Sequence, residues 1–453
     1  MTMNGKITAV IVVLVILVVV FGALYVAGVF NFNSKTTTTN TNNPGAANVV
    51  SASTVSKSYG GTWSQTSGSS GKVSNSAGLS TLLNATIGTG FLAGAGHSPS
   101  ISSSPALSDL ASVGAPSASS ATTGGSLQAF EMGLFAPNSN GFAFSTVGFL
   151  EYSTAKASSS VFGKIFVNVT NMSSTYQGNA TYYNSTTGTF LPYHYYVNSF
   201  HHRGLISGDR FVFTSSYNYY SYEPKVIRSM NESVLLGQSG QFLVYIVYFS
   251  AQNQTLSTFE NLFQSQANAA ASVSTGISSS LVSGSTLSTD TSITWTQDIT
   301  MGFSIHNPSK LVNEYIDLSL RTSTTSISSA DRTIINETAG NITGLNVGVY
   351  SSGNSTNLTG LAAIGFVQFK DQAHANTTFN FMSLYFASDP YAGSGMVGGH
   401  QYFNISSRTS PTAWQNILAV QYNQYIVFEY ILSKGNLSIT QLKSVASSEI
   451  SVA

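Results

Sequence analysis

Three histidines set among tyrosines are the residues in this chain whose types and spacing most directly suggest chemistry. His194 sits inside Tyr193-His194-Tyr195-Tyr196, and His201 and His202 precede Arg203. Neutral imidazole is a common ligand of zinc and copper, so a hairpin that brought all three to one face would make a metal site. The competing reading is an aromatic, solvent-edged hairpin with its histidines partly exposed. It also accounts for Tyr217, Tyr219, Tyr220 and Tyr222 nearby, and it is preferred, so no metal and no cofactor is assigned. Tyrosine rings join an apolar body to a polar tip. Tyr193, Tyr195, Tyr196, Tyr217, Tyr219, Tyr220 and Tyr222 therefore form a candidate contact surface for sugar or protein.

Catalytic templates find little purchase. No Gly-x-Ser-x-Gly elbow follows a strand pattern, and Gly393-Ser394-Gly395 reads as a flexible glycine-rich loop. Glu131, Glu151, Asp298, Asp317 and Asp389 are the carboxylates considered for acid/base work at a glycosidic bond, but nothing in their spacing sets a pair together. No His-Glu-x-x-His, phosphate-cradling loop or calcium loop is present. The chain is read as a non-enzyme, with a secreted hydrolase as the catalytic alternative.

Modification is the better-marked chemistry. Asn84, Asn168, Asn171, Asn179, Asn184, Asn231, Asn253, Asn336, Asn341, Asn354, Asn357, Asn376, Asn404 and Asn436 each begin Asn-x-Ser/Thr with no intervening proline. All follow an uncharged stretch from Ile7 to Phe30. At about 1.5 Å per residue, a helix of that length reaches about 36 Å, enough to cross a bilayer core of about 30 Å. The run is longer than the apolar region of a cleaved signal peptide, so it reads as an uncleaved signal anchor. Lys6 and Lys35 flank it evenly and leave orientation open by charge. The acceptor sites favour an outside face for everything that follows.

The 17 acidic and 17 basic residues cancel and make up 8% of the chain, against about 25% in an average soluble protein. Polarity comes instead from hydroxyls and amides. Such a surface hardly changes its charge pattern as carboxylates protonate, which suits an acidic exterior. The absence of a basic patch excludes nucleic acid as the expected partner. With no cysteine, disulfides, thiolate metal sites and cysteine nucleophiles are excluded. In being uncrosslinked, poorly charged, rich in acceptor sites and anchored at its N-terminus, the chain resembles envelope glycoproteins of archaea, acid-living ones in particular. The resemblance is one of composition over the whole chain.

The elements that must position these residues follow from an internal duplication. Gly148 to Tyr152 and Phe162 match Gly365 to Phe369 and Phe379 at an offset of 217. Phe242 to Tyr245 match Tyr425 to Phe428, and Leu256, Phe259 and Leu262 match Ile439, Leu442 and Val445, at an offset of 183. Gly240 and Asn423 then coincide, and both tolerate the positive φ that a tight hairpin requires. The offsets differ by 34, so the first copy carries an insertion of that size within about residues 170–230.

Strand pairs followed by separate helices, without regular βαβ spacing, give an α+β expectation. An N-terminal transmembrane helix would precede two tandem repeats, each an antiparallel sheet with helices on one face. The chain divides into a cytoplasmic tip (1–6), the anchor (7–30), a Thr/Asn-rich stalk (31–58) and a loosely structured Ser/Gly-rich region (59–128). The first repeat (129–275), a connecting segment belonging in part to the second repeat (276–343) and the second repeat itself (344–453) complete it.

The expected function is that of a single-pass membrane protein with its C-terminal ectodomain outside. It would have a structural or interaction role in the envelope, with other envelope proteins or glycans as partners. The alternative is an anchored ligand-binding or sensing module, such as an accessory subunit of a membrane complex.

Overall fold

Phe242-Leu-Val-Tyr-Ile-Val-Tyr-Phe is apolar on both sides of a strand, and a strand of that kind is stable only when both faces of its sheet are covered. The whole architecture obeys that demand. The computed structural model describes residues 48–73, 127–138, 143–184, 189–222, 226–252, 254–270, 281–310, 333, 336–354, 357–387, 389–410 and 413–453. The first half contains α1 (Ala52–Tyr59), β1 (Trp63–Val73), β2 (Leu127–Pro137), β3 (Ala143–Tyr152), α2 (Ala155–Asn168) and β4 (Met172–Asn184). It continues through β5 (Thr189–Ile206), β6 (Asp209–Tyr222), β7 (Val226–Ser239), β8 (Phe242–Ser250) and α3 (Leu256–Ala269). The second half contains α4 (Gly284–Thr291), β9 (Thr296–Ile305), β10 (Ile342–Asn354), β11 (Asn357–Phe369) and α5 (Gln372–Phe386). Then come β12 (Ala392–Val397), β13 (His400–Ser410), β14 (Ala413–Tyr422), β15 (Tyr425–Ser433) and α6 (Ile439–Ile450).

The expected α+β architecture, with two sheets each covered on one face, is not what forms. The 15 strands among the described residues join one antiparallel sheet in the order β12-β13-β14-β15-β11-β10-β9-β1-β2-β3-β8-β7-β6-β5-β4, so the protein is mostly β. The halves fuse because β1 and β9, each the open edge of its own half, pair with one another and leave no free edge between them. Helices cover both faces. On one, a single apolar cluster runs through both halves and includes Phe162 of α2 and Phe379 of α5. On the other, Phe259 and Phe263 of α3 join Val55 and Tyr59 of α1, and separately Leu442 and Val445 of α6 join Leu287 of α4. The transmembrane expectation falls on residues 7–30, which lie outside the described residues. No helix among the described residues is long and apolar enough to cross a membrane.

Pairing register repeats between the halves. Gly148 opposes Tyr245 across β3 and β8, and Gly365 opposes Phe428 across β11 and β15, at the offsets of 217 and 183 seen in the sequence. Two bulges recur as well. Thr66 of β1 and Asp298 of β9 are each skipped in the pairing with the next strand, as are Gln128 of β2 and Thr343 of β10. Gly240 and Asn423 both take the left-handed conformation, with φ of 55° and 50°, at the turn before β8 and β15. At the centre, Ser70 of β1 opposes Gly302 of β9, and these two residues hold equivalent places in their halves. The junction is therefore self-complementary, as at a two-fold dimer interface.

Two elements lie where composition suggested little order. Ala52–Tyr59 forms a helix within the Thr/Asn-rich segment, and Trp63–Val73 forms a central strand within the Ser/Gly-rich one. Strand β1 has no apolar alternation because its neighbours supply the bulk. A Cβ at Gly71 would overlap the Phe130 ring, and Ser69 and Ser70 are buried between β2 and β9.

Candidate functional site

The insertion in the first half builds an arm. Among the described residues strand β4 has no counterpart in the second half, and β5, at 18 residues, is the longest strand. Alternation along β5 divides its tyrosines between two faces. Tyr193 and Tyr195 share one, with ring centroids 6.2 Å apart, and Tyr222 and Tyr220 hold the opposing positions on β6. Tyr196 lies on the other face, 6.4 Å from Tyr217 and opposite Tyr219. Tyr193 and Tyr195 are thus brought together on one face, and Tyr196, Tyr217 and Tyr219 on the other. Tyr176 of β4, opposite Val197 and 56% exposed, belongs with the Tyr193 face and went unnoticed in the sequence.

The histidines are not brought together. His194 and His202 share a face but stand eight residues apart on one strand, roughly 26 Å. His201 points to the opposite face and is buried. His194 Nδ1 lies 3.1 Å from Asn179 Oδ1. No cluster of three metal-ligating side chains exists among the described residues. Two cations of the arm are held at its root: Arg203 Nη1 donates to Phe166 O (2.7 Å), and Arg210 Nη2 donates to Ser159 Oγ (2.7 Å) and Gln238 Oε1 (3.2 Å), while Arg228 of β7 holds the position opposite Tyr220. Beyond that root, β4 and the outer parts of β5 and β6 carry no Asp, Glu, Lys or Arg.

The acceptor asparagines are placed unevenly. Asn171, Asn179 and Asn436 are exposed, while Asn336, Asn341, Asn376 and Asn404 are half-buried. Asn168, Asn184, Asn354 and Asn357 end or begin elements. Asn231 is 4% exposed and donates through Nδ2 to Ala251 O (3.3 Å), so the folded chain presents no acceptor there. Asn84 and Asn253 lie outside the described residues.

The carboxylates singled out in the sequence hold structure. Glu131 is buried and accepts from Asn48 N (2.8 Å) and Asn48 Nδ2 (3.4 Å), and burial raises its pKa. Glu151 accepts from Gln241 Nε2 (2.9 Å), Asp389 caps a turn by accepting from Tyr391 N (2.8 Å), and Asp298 is buried at its bulge. Asp317 lies outside the described residues.

Sequence reasoning missed a different acidic cluster, beneath α4 and α6. Glu429 of β15 and Glu449 of α6 are fully buried, and neither oxygen of Glu429 has a hydrogen-bond partner. Glu449 Oε2 accepts from Val282 N (2.9 Å), and its Oε1 is unpartnered. Burial pushes Glu449 up to about 7 and holds Glu429 well above the usual carboxylate range, where repulsion from Glu449 and Asp290 adds to it. Asp290 accepts from Ser444 Oγ (2.7 Å) and Ser448 Oγ (2.8 Å). Nearby, the Tyr350 hydroxyl donates to Val282 O (2.6 Å) and accepts from Gln297 Nε2 (3.2 Å). The first half shows what the cluster replaces. Gln266, the equivalent of Glu449, accepts from Val50 N (3.0 Å) and donates to Asn48 O (3.0 Å). Ile246, the equivalent of Glu429, is an ordinary core residue. A carboxyl that stays protonated does the work of that amide only in part, since one of its oxygens finds no partner.

No family model matches the chain, and no curated protein matches it.

Proposed function

We propose that the protein is a membrane-anchored extracellular surface glycoprotein with a structural or interaction role in the cell envelope. Residues 7–30 tether it, and its partners are other envelope proteins or glycans. The observation that carries this reading is the arm: long, paired strands, of which β4 and the outer parts of β5 and β6 are free of charge, with tyrosines on both faces and exposed acceptor asparagines beside them. Such a surface suits neutral, hydroxyl-rich or aromatic partners and changes little with acidity. Buried carboxyls that favour the protonated form fit the same surroundings. The alternative, a ligand-binding or sensing module with its site between the two repeats, draws less support, because Ser69, Ser70 and Met301 at that junction are buried within continuous sheet.

The test is intact mass and N-terminal peptide mapping of native material from membranes, before and after chemical deglycosylation. A mass well above 47.8 kDa that falls on deglycosylation, with Ile7 to Phe30 retained, is the expected result. An unmodified or truncated chain refutes the reading.

A further inference from the structure

We propose that two copies of this chain associate edge to edge through β4, continuing the sheet antiparallel across a two-fold axis. This deepens the structural role proposed above by naming a partner, a second copy of the same chain, and a surface. Strand β4 is the outermost strand at one end of the sheet, and among the described residues it pairs only with β5. Exposed edges are normally blunted by shortness, charge, proline or a bulge, because unpaired N–H and C=O groups invite another strand. The opposite edge follows that rule by shortness, since β12 has only six residues, two of them glycine. Strand β4 does not. Its 13 residues, Met-Ser-Ser-Thr-Tyr-Gln-Gly-Asn-Ala-Thr-Tyr-Tyr-Asn, include no charge and no proline. Its pairing with β5 runs without a bulge from Met172↔His201 to Asn184↔Thr189.

Two further observations point to a second copy as the occupant. The chain's formal net charge is zero, so like copies do not repel. The molecule also already joins equivalent edges in this way, with Ser70 opposite its counterpart Gly302 where β1 meets β9. An edge that serves a two-fold axis must be complementary to itself. A polar, uncharged strand meets that condition. In a full-length symmetric pairing Gly178, the central residue, opposes the partner's Gly178, and Thr175 opposes the partner's Thr181. Side chains stand perpendicular to the sheet, so a glycan on Asn179 rises from a face and leaves the edge groups free.

The experiment is sedimentation velocity on the full chain in mild detergent over a range of concentrations. Wild type is expected to dimerise. Thr175→Lys with Gln177→Lys, which sets like charges across the joint, should weaken dimerisation by at least about tenfold, whereas Ser394→Lys with Met396→Lys on β12 should leave it unchanged. A second measurement uses the cysteine-free background: Gln177→Cys should cross-link between copies with a short bis-maleimide, and Ser394→Cys should not. A wild type monomeric at every concentration, or a dimer indifferent to the β4 substitutions and not cross-linked at position 177, overturns the proposal. An unglycosylated chain that still dimerises through β4 would sink the glycoprotein reading and leave this one standing.

Discussion

Replacing Glu449 with glutamine should remove one of the two buried carboxyls that make the second half pH-sensitive and leave the contribution of Glu429 in place. Glu449 binds its proton more tightly folded than unfolded, because burial raises it from its ordinary 4.5 to about 7. Its contribution to stability is complete below about pH 4.5, declines as pH rises toward 7, and levels off above that. A shift of that size, at about 1.4 kcal/mol per unit, amounts to about 3 kcal/mol. For a unit of 150–250 residues this is a fall in melting temperature of roughly 6–12 °C between pH 4.5 and pH 8. Glu429 acts in the same direction, from about pH 4.5 upward and beyond the range of Glu449, since burial and the neighbouring Glu449 and Asp290 all oppose its ionisation. Among the described residues the titratable groups facing the site are Asp290 from α4, Glu449 from α6, Glu429 from β15 and Tyr350 from β10, and none of them has a cationic partner there. Thermal denaturation of wild type and Glu449→Gln, each measured from pH 4 to pH 9, tests this. The variant should match wild type within about 1 kcal/mol at pH 4, retaining the Val282 contact as Gln266 does at the equivalent place, and exceed it at pH 8. Parallel profiles for the two proteins would refute the account of the buried carboxyl.

Gly365→Ala should destabilise by roughly 1–3 kcal/mol or more in urea titrations, because a Cβ there would overlap Asn346 O of the adjacent strand; a neutral result would show that β10 and β11 can separate without cost. Ser438→Ala removes the hydroxyl that accepts from Gln441 N at the start of α6, leaving the return bond from Ser438 N to Gln441 Oε1, and should cost about 1 kcal/mol by the same measurement. Zinc titration by calorimetry should reveal no micromolar site that is lost on His194→Ala or His202→Ala, since the two residues stand eight apart on β5, roughly 26 Å. Site mapping by mass spectrometry should find Asn231 unmodified in the folded protein while Asn171, Asn179 and Asn436 remain accessible.

Much of one half could be read from the other. The matched blocks around Gly148 and Gly365, and around Phe242 and Tyr425, lie on equivalent strands in equivalent register, because apolar alternation and a turn at Gly240 or Asn423 fix both partner and pairing. A further match was present and passed over. Ser51-Ala-Ser-Thr-Val-Ser and Ser283-Gly-Ser-Thr-Leu-Ser, each ending in Thr-Trp at Trp63 and Trp295, form the same capped helix and turn. In both, the Ser56 or Ser288 hydroxyl accepts from the following tryptophan's N–H at 2.8 Å. Rich serine and threonine content masked it as low complexity.

What the sequence by itself determined was local and periodic: the absence of cysteine and the scarcity of charge, the acceptor sites, the paired strands and closing helices, and the insertion that becomes β4 with the lengthened strands beside it. What only the tertiary structure decided was anything that depends on what lies across a strand. Strand β1 is legible as a strand only once Phe130 is seen to fill the space over Gly71 and Phe303 to stand opposite Ser69. The fusion of two sheets into one rests on Ser70 meeting Gly302, more than two hundred residues away. Glu429 and Glu449 look like any other glutamates until α4 and α6 close over them and remove the water that would keep them ionised. Periodicity records which side of an element is buried, whereas the identity of the neighbour on that side is a property of the assembled sheet.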